Sequence, residues 1–300
     1  DSSRGVGKVL SPSQTNTETD NNTTLDEFRS DGFGLGTDNT ELVNKGTNTY
    51  VAWNWKANGG TTSSNGNGSI TSTVQANTTA GFSIVLYTGN ATAGATVGHG
   101  LGAAPDWYFI KRRSNTGDWL VYHSANTAAP ETDFLKLNEN NATEDNNVAF
   151  NDVAPTSTVF SLGNSVDVNE NANNYVAYCF RAVEGYSKFG TYTAISSSAS
   201  TPNHDGTFIF LGFRPAWFLI KRTSQSGEWN LHDSVRSPIN PMQNFLLPNA
   251  SNAEVTSEAI EFLSNGVKMR SASGYFDHPT GATFIYMAFA EAPFKYANAR

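Results

Sequence analysis

The sequence predicts an all-β protein made of tandem β-sandwich repeats of about 110 residues, preceded by a partial repeat. Short apolar runs separated by turns rich in Asn, Gly and Pro are typical of sandwich strands. No long stretch places apolar residues at i, i+3, i+4 and i+7, so we expect few helices, with residues 252–262 the best candidate for a turn or two. One phrase of the sequence also occurs twice, which indicates a repeated structural unit.

The repeated phrase spans residues 107–124 and 217–234, at an offset of 217 − 107 = 110 residues, and eight of its eighteen aligned positions are identical. Each copy contains an apolar run, a basic patch, a polar turn with Gly117 or Gly227, and a second apolar run. Glycine adopts positive φ without steric cost, so a short polar connection containing it can reverse the chain. Each copy therefore predicts a β-hairpin.

The hairpins divide the chain into regions of unequal completeness. The predicted regions are a partial N-terminal repeat at 1–57, a Gly/Ser/Thr/Asn linker at 58–80 with room for one short strand, a first complete β repeat at 81–184 and a second at 185–300.

The N-terminal region matches only the back half of a repeat. Residues 1–4 resemble 233–236, and residues 28–33 resemble 262–267, but no hairpin phrase precedes them. An incomplete sheet leaves an open edge and uncovered apolar side chains. We therefore expect upstream residues or a neighbouring subunit to complete this region, and the second of these alternatives predicts a homo-oligomer.

Composition and charge exclude several classes of protein. The chain has 19 basic and 27 acidic residues, a net charge of −8, and a charged fraction of 15%. It lacks the basic face that tracks a phosphate backbone, which excludes nucleic acid as a partner. Its longest apolar run is far short of the roughly 18 residues that suggest a membrane span. The single cysteine, Cys179, lies in an apolar run and is predicted to be an inert, buried thiol.

The sequence predicts no catalytic residues, no metal site and no cofactor, so we expect a protein that is not an enzyme. The five histidines form no H-E-x-x-H pair, and a G-x-S-x-G elbow is absent. Residues 167–174 place oxygen ligands at alternate positions, as calcium loops do. However, Ala172 stands where an EF-hand loop has Gly, and Tyr178 stands where it has a bidentate Glu.

The polar residues of the two hairpins allow two interpretations. The basic residues face acidic ones across each turn, so they can form cross-strand ion pairs that support the hairpin. They can also form a glycan-binding ledge, in which a Trp stacks on a sugar ring while a carboxylate and a guanidinium hold its hydroxyls. The ledge residues are Arg113, Asp118 and Trp119 in the first copy and Arg222, Glu228 and Trp229 in the second.

Several stretches together resemble a known family. They are YVAWNWK at 50–56, residues 87–105 from Tyr-Thr-Gly-Asn through Gly-His-Gly-Leu-Gly to Pro, FRSDGF at 28–33, and AEAPFKYANAR at 290–300. The chain resembles, over nearly its whole length, repeat-containing structural proteins of marine tailed bacteriophages, whose repeats often follow a concanavalin-like lectin domain. Family repeats begin before the hairpin, whereas this chain begins after it.

The resemblance implies a structural protein of a tail fibre or other virion appendage, located at the virion surface or outside cells. It implies a homotrimer that contacts other virion proteins and binds host-surface glycans, and it supplies no catalytic residue. Two alternatives share the composition: a glycan-degrading tailspike depolymerase, and a bacterial surface adhesin or filament subunit.

Overall fold

The computed structural model describes residues 1–37, 42–196 and 204–292, with the backbone alone at 258 and 259. The all-β prediction is confirmed, because strands account for nearly all the regular structure of these residues. One helix, α1 (Val166–Asn169), and one turn of 3-10 helix (Pro130–Thr132) accompany them. The last residues of the resemblance, 293–300, lie outside the described residues.

The strands are, in chain order, β1 (Lys8–Val9), β2 (Thr19–Asp20), β3 (Leu25–Phe28), β4 (Phe33–Leu35), β5 (Ser63–Asn65), β6 (Ser72–Asn77), β7 (Phe82–Thr88), β8 (Ala95–Gly98), β9 (Trp107–Arg112), β10 (Trp119–His123), β11 (Asp133–Lys136), β12 (Glu144–Asp145), β13 (Val159–Leu162), β14 (Asn174–Phe180), β15 (Ser187–Thr193), β16 (Phe208–Phe210), β17 (Pro215–Arg222), β18 (Trp229–Asp233), β19 (Met242–Phe245), β20 (Val255–Leu263), β21 (Gly266–Met269) and β22 (Thr283–Ala290).

The first β unit, β5 to β14, is a sandwich of two sheets. Its large antiparallel sheet has the order β12-β11-β10-β9-β14-β7-β6-β5, and its small one pairs β13 with β8. The predicted first hairpin is β9–β10, with Lys111 opposite Trp119. Because side chains alternate along a strand, Tyr108 and Ile110 of β9 pack into the core with Phe160 of β13.

The second β unit, β15 to β22, is also a sandwich. One sheet has the order β15-β22-β17-β18 and packs against a sheet of order β16-β21-β20-β19. The predicted second hairpin is β17–β18, with Lys221 opposite Trp229, the register of the first hairpin. The order β15-β22-β17-β18 also matches β7-β14-β9-β10 in the first unit.

Two segments differ from what the sequence predicts. Residues 58–80, predicted as a linker, contain β5 and β6, which extend the large sheet. Their strand pattern is short, with Ser72 and Val74 buried on either side of exposed Thr73, so the surrounding Gly and Ser obscure it. Residues 252–262, predicted as a helical turn, form most of β20 instead, because pairing with β19 and β21 outweighs local propensity.

The N-terminal region contributes two strand pairs, β1–β2 and β3–β4. In the second pair Phe28 lies opposite Phe33, just as Phe262 lies opposite Val267 in β20–β21. The back-half match is therefore reproduced in strand pairing, while the region boundaries stay predictions.

A third apolar core joins the three regions. It contains the outer faces of both hairpin sheets together with Trp53, Trp55 and Ala57 of the N-terminal region. The rings of Trp55, Phe180 and Phe289 contact one another, with centroid distances of 6.2 Å, 5.9 Å and 5.2 Å. Each region supplies one ring, so the three regions are arranged around a common centre.

Candidate functional site: the hairpin junctions

The first hairpin is covered by residues 11–18 of the N-terminal region. This segment begins with a turn in which Gln14 N–H donates to the Ser11 carbonyl, as a Ser-Pro sequence favours. Four of its contacts with the hairpin use its own backbone. They are Trp119 Nε1 to Ser11 O (2.9 Å), Gly117 N to Thr15 O (2.9 Å), Lys111 Nζ to Thr15 O (3.0 Å) and Glu18 N to Arg113 O (3.0 Å).

The second hairpin is covered in the same way by residues 136–143 of the first unit. This segment also begins with a turn, from Glu139 N–H to the Lys136 carbonyl. The corresponding contacts are Trp229 Nε1 to Lys136 O (3.0 Å), Gly227 N to Asn140 O (2.7 Å), Lys221 Nζ to Asn140 O (3.3 Å) and Thr143 N to Thr223 O (2.9 Å).

The two junctions correspond at constant spacing on both sides. The hairpin residues are offset by 110, and the covering residues by 136 − 11 = 140 − 15 = 143 − 18 = 125. The two covering segments share only the Asn at positions 16 and 141. The sequence did not reveal these segments because carbonyls and amides of any residue can make the same bonds. The available signal was the lysine that occurs at the same place in both hairpins, Lys111 and Lys221.

The two hairpin lysines are buried among carbonyl groups. Lys111 and Lys221 are both fully buried, and each Nζ donates to two or more carbonyls. Burial lowers the pKa of Lys111 to about 8, against the opposing influence of Asp167 and Asp118. Burial, with the added repulsion of Arg222, lowers the pKa of Lys221 to about 7.

The first junction also contains an ion pair that the second lacks. Arg113 donates two hydrogen bonds of 2.9 Å to the Glu18 carboxylate, and Arg4 donates a third of 2.7 Å. Burial alone would raise the pKa of Glu18, but these hydrogen bonds outweigh it and lower that pKa to about 2. Thr223 and Thr143 occupy the positions of Arg113 and Glu18 in the second junction.

The junctions correct the predicted glycan ledge. Trp119 is 6% exposed and Trp229 is fully buried, and both indole N–H groups donate to covering carbonyls, so neither ring offers a free face to a sugar. Arg113 is held by Glu18, and the Arg222 guanidinium donates to the Ser226 carbonyl.

The cross-strand ion pairs predicted for Arg113 and Arg222 do not form, although Asp118 and Glu228 still favour the charged forms of Lys111 and Lys221. Asp118 accepts from Asn138 (2.8 Å) and contacts Lys136 (3.2 Å) instead of Arg113. Glu228 accepts from Asn249. In the described part of the chain no ion pair joins Arg113 to Asp118 or Arg222 to Glu228, because Arg113 turns toward Glu18 and Arg222 donates to the carbonyls of Ser226 and His278.

A polar cleft of about 390 Å³ lies beside the second junction. Glu228, a member of the predicted ledge, lines it together with amide and carboxylate groups of Asn138, Glu139, Asn140, Asn141 and Asn249.

The remaining sequence candidates have structural roles. Asp167 of the calcium-like segment lies in α1 and accepts the backbone N–H of Asp118 (2.9 Å). Cys179 is fully buried, and burial raises the pKa of its thiol. Over residues 1–37, 42–196 and 204–292, no group of three or more His, Cys, Asp or Glu is placed to hold a metal ion. None of the helices in these residues has the length and apolar character to cross a membrane.

The fold and the junctions define an all-β protein. Each of its two sandwiches is joined to the preceding part of the chain by the same hairpin contact. The chain belongs to the family described as a domain of unknown function, DUF7483, whose model matches residues 1–293. No curated protein and no solved structure matches the chain.

Proposed function

We propose that this protein is a non-enzymatic structural component of an extracellular assembly, a tail fibre or other virion appendage, in which β units are locked into a rigid body. The observation that carries the proposal is that both copies of the repeated phrase direct their Trp, Lys and Gly groups into the hairpin junctions. Residues that would bind or transform a ligand in other proteins here bind neighbouring parts of the same chain.

The chemistry of the junctions suits a protein outside a cell. Most of their contacts are backbone hydrogen bonds and apolar burial, which salt screens far less than exposed ion pairs, whose range falls to roughly 3 Å at 1 M ionic strength. The low charged fraction of 15% fits the same conditions. The virion location follows from the sequence resemblance, and so does the proposed assembly with further copies, as a trimer, and with other virion proteins.

The proposal is tested by incubating the purified chain with host-surface polysaccharides and measuring their chain length, alongside its mass by light scattering. We expect intact polysaccharide and a trimer. Shortened polysaccharide would replace the structural proposal with that of a depolymerase. A monomer that leaves the polysaccharide intact would contradict the proposed trimer but agree with the structural role.

Glycan recognition is a second candidate function, and the polar cleft supports it. Carboxylate and amide groups converge there, and a few convergent polar groups are what orient a hydroxyl-rich ligand. Binding to a glycan panel should weaken in Glu139→Gln, whose side chain lines the cleft and makes none of the hairpin contacts named above. Asp26→Asn, in β3, is the matched control. Equal binding by both variants would remove the cleft as the glycan site.

A further inference from the structure

We infer that the N-terminal region is one layer of a third sandwich, and that it forms with residues 247–254 a docking site for the hairpin-bearing half of another β unit of this kind. The inference rests on the junction geometry and not on the proposed appendage function. The two can therefore fail separately.

The N-terminal region carries an uncovered apolar face. Phe28 and Leu35 are 43% and 40% exposed, whereas Phe262 and Met269, at the same places in β20–β21, are fully buried. In the second unit the hairpin sheet covers those residues. The N-terminal region therefore has the back layer of a sandwich, and its described residues include no front sheet.

The stretch of the N-terminal region that matches β14 is also more exposed than β14 itself. Tyr50 is 46% exposed, while Tyr175, which begins the matching Tyr-Val-Ala stretch in β14, is fully buried. β14 pairs with β9 on one side and β7 on the other. Residues 51–56 belong to no strand in the described parts of the chain.

Residues 247–254 reproduce the two covering segments. Ala250 N–H donates to the Leu247 carbonyl (3.0 Å), the turn that opens both other segments, at an offset of 247 − 136 = 111. Asn249 Oδ1 accepts Trp229 N (3.0 Å) as Asn138 Oδ1 accepts Trp119 N (2.8 Å).

The acidic end of this third segment matches the first. Arg236 donates to Glu254 at 2.7 Å, just as Arg4 donates to Glu18 at 2.7 Å. Glu18 additionally holds Arg113 of the hairpin that it covers. Among the described residues, Glu254 N–H and the Ser251 carbonyl bond to nothing, and residues 251–254 are all exposed. These are two of the three backbone groups that bind a hairpin in the other junctions, and the third is at the place of the Leu247 carbonyl.

The third segment also lies beside the uncovered region. The Arg236 guanidinium is 5.9 Å from the Trp53 ring centroid, so the second unit contacts the N-terminal region. The junctions run from the N-terminal region to the first unit and from the first unit to the second. A hairpin docked on residues 247–254 and the N-terminal region would complete the same contact a third time.

The occupant is defined by the chemistry of the existing junctions. It carries a hairpin whose Trp indole N–H reaches the Leu247 carbonyl and whose turn Gly N–H reaches the Ser251 carbonyl. A basic residue at the place of Arg113 pairs with Glu254. Residues 63–122 of this chain have this chemistry. They include the front strands β5, β6, β7 and β9 and most of β10, together with β8 of the small sheet.

The experiment places a second copy of residues 63–122 directly before Asp1 in the full chain. Asp1 matches Asp233, the last residue of β18, and 233 − 123 = 110, so the added β10 would continue into Asp1 in register. We expect amide hydrogen exchange to slow by about tenfold or more at 28–35, 50–56 and 251–254 when these residues enter a cooperative unit. Unchanged exchange at these segments overturns the inference, whether or not the added residues fold.

Two controls test the proposed contact at Glu254 and the identity of the docked unit. Glu254→Ala should speed exchange at 251–254 in the extended chain and leave it unchanged in the chain of residues 1–300. An equal effect in both would assign Glu254 only to its Arg236 pair and overturn the proposed contact. Protection of 251–254 in the unextended chain that grows with concentration would show a second copy in the site and overturn the inferred occupant.

Discussion

The two hairpin junctions have the same backbone bonds and different side chains. At the first, Arg113 and Glu18 add a partly buried ion pair, and at the second, Thr223 and Thr143 occupy those positions. The Trp, Gly and Lys contacts are nonetheless kept at both. The comparison shows that the junction is specified by the hairpin and by a backbone path. The covering segment can therefore change almost every residue without losing the contact.

The same comparison explains why the two buried lysines differ. Asp167 and Asp118 favour the charged form of Lys111, whereas Lys221 has Arg222 as its strongest charged neighbour. The second junction consequently buries its ammonium group with less electrostatic compensation, and the pKa of Lys221 falls further.

The largest expected effect is loss of a junction tryptophan. Trp229→Ala should lower the free energy of unfolding by about 3–5 kcal/mol, because it empties a fully buried site and leaves the Lys136 carbonyl unpaired. Trp119→Ala should cost somewhat less, because Trp119 is 6% exposed. Urea unfolding measures both. If Trp229→Ala cost less than Trp119→Ala, the two junctions would not be equivalent.

The second effect is a rise of stability with pH in the alkaline range, caused in part by Lys221 of the second junction. The pKa of Lys221 is lowered from 10.5 to about 7, so above pH 7 the unfolded chain binds the proton more strongly than the folded one. Stability should therefore rise between about pH 7 and 10.5. Lys221→Met should reduce this rise in thermal unfolding and leave the part between about pH 8 and 10.5 that Lys111, with its pKa of about 8, contributes. A rise of the same size in the variant would assign it to other groups.

The third effect separates the ion pair from the backbone contacts. Arg113→Ala should lower the free energy of unfolding by about 1–3 kcal/mol, because it removes two hydrogen bonds to a partly buried carboxylate. Arg29→Ala is the matched control, since its pair with Glu27 is more than half exposed and is worth about 0–1 kcal/mol. Equal losses in the two variants would mean that burial adds nothing to the Arg113 pair.

The smallest expected effect is a local loss of stability at acidic pH in the first junction. The pKa of Glu18 is lowered from 4.5 to about 2, so its stabilisation is complete above pH 4.5 and is lost as the pH falls toward 2. Amide exchange at residues 11–18 should speed up over this range more than at 136–143, where Thr143 replaces the acid. Glu18→Gln should abolish the difference, and its persistence would point to another titrating group.

The sequence predicts the elements of this fold better than their connections. The all-β fold class and both hairpins follow from the spacing of apolar residues and from the turns at Gly117 and Gly227, which are local signals. The linker prediction at 58–80 was wrong in part, because pairing with a strand elsewhere turned a weak pattern into β5 and β6.

The site was harder to predict for a physical reason. Trp119 and Trp229 suggested a surface for sugars, but their burial depends on backbone groups more than ninety residues away in the chain. Backbone carbonyls carry no residue identity, so no motif marks the covering segments. The two covering segments are related only by their constant offset of 125 residues, which accompanies the offset of 110 between the hairpins and is recognised once the hydrogen bonds are known.

The contact among Trp55, Phe180 and Phe289 has a consequence for how such a protein can evolve. In a symmetric homotrimer every substitution is made three times at once, so a change at the axis is either tolerated by all three copies or lost. Here three ring positions are encoded separately within one polypeptide, and one already holds indole where the other two hold phenyl. A substitution at one position therefore changes the centre once and not three times, so the three ring positions can diversify independently.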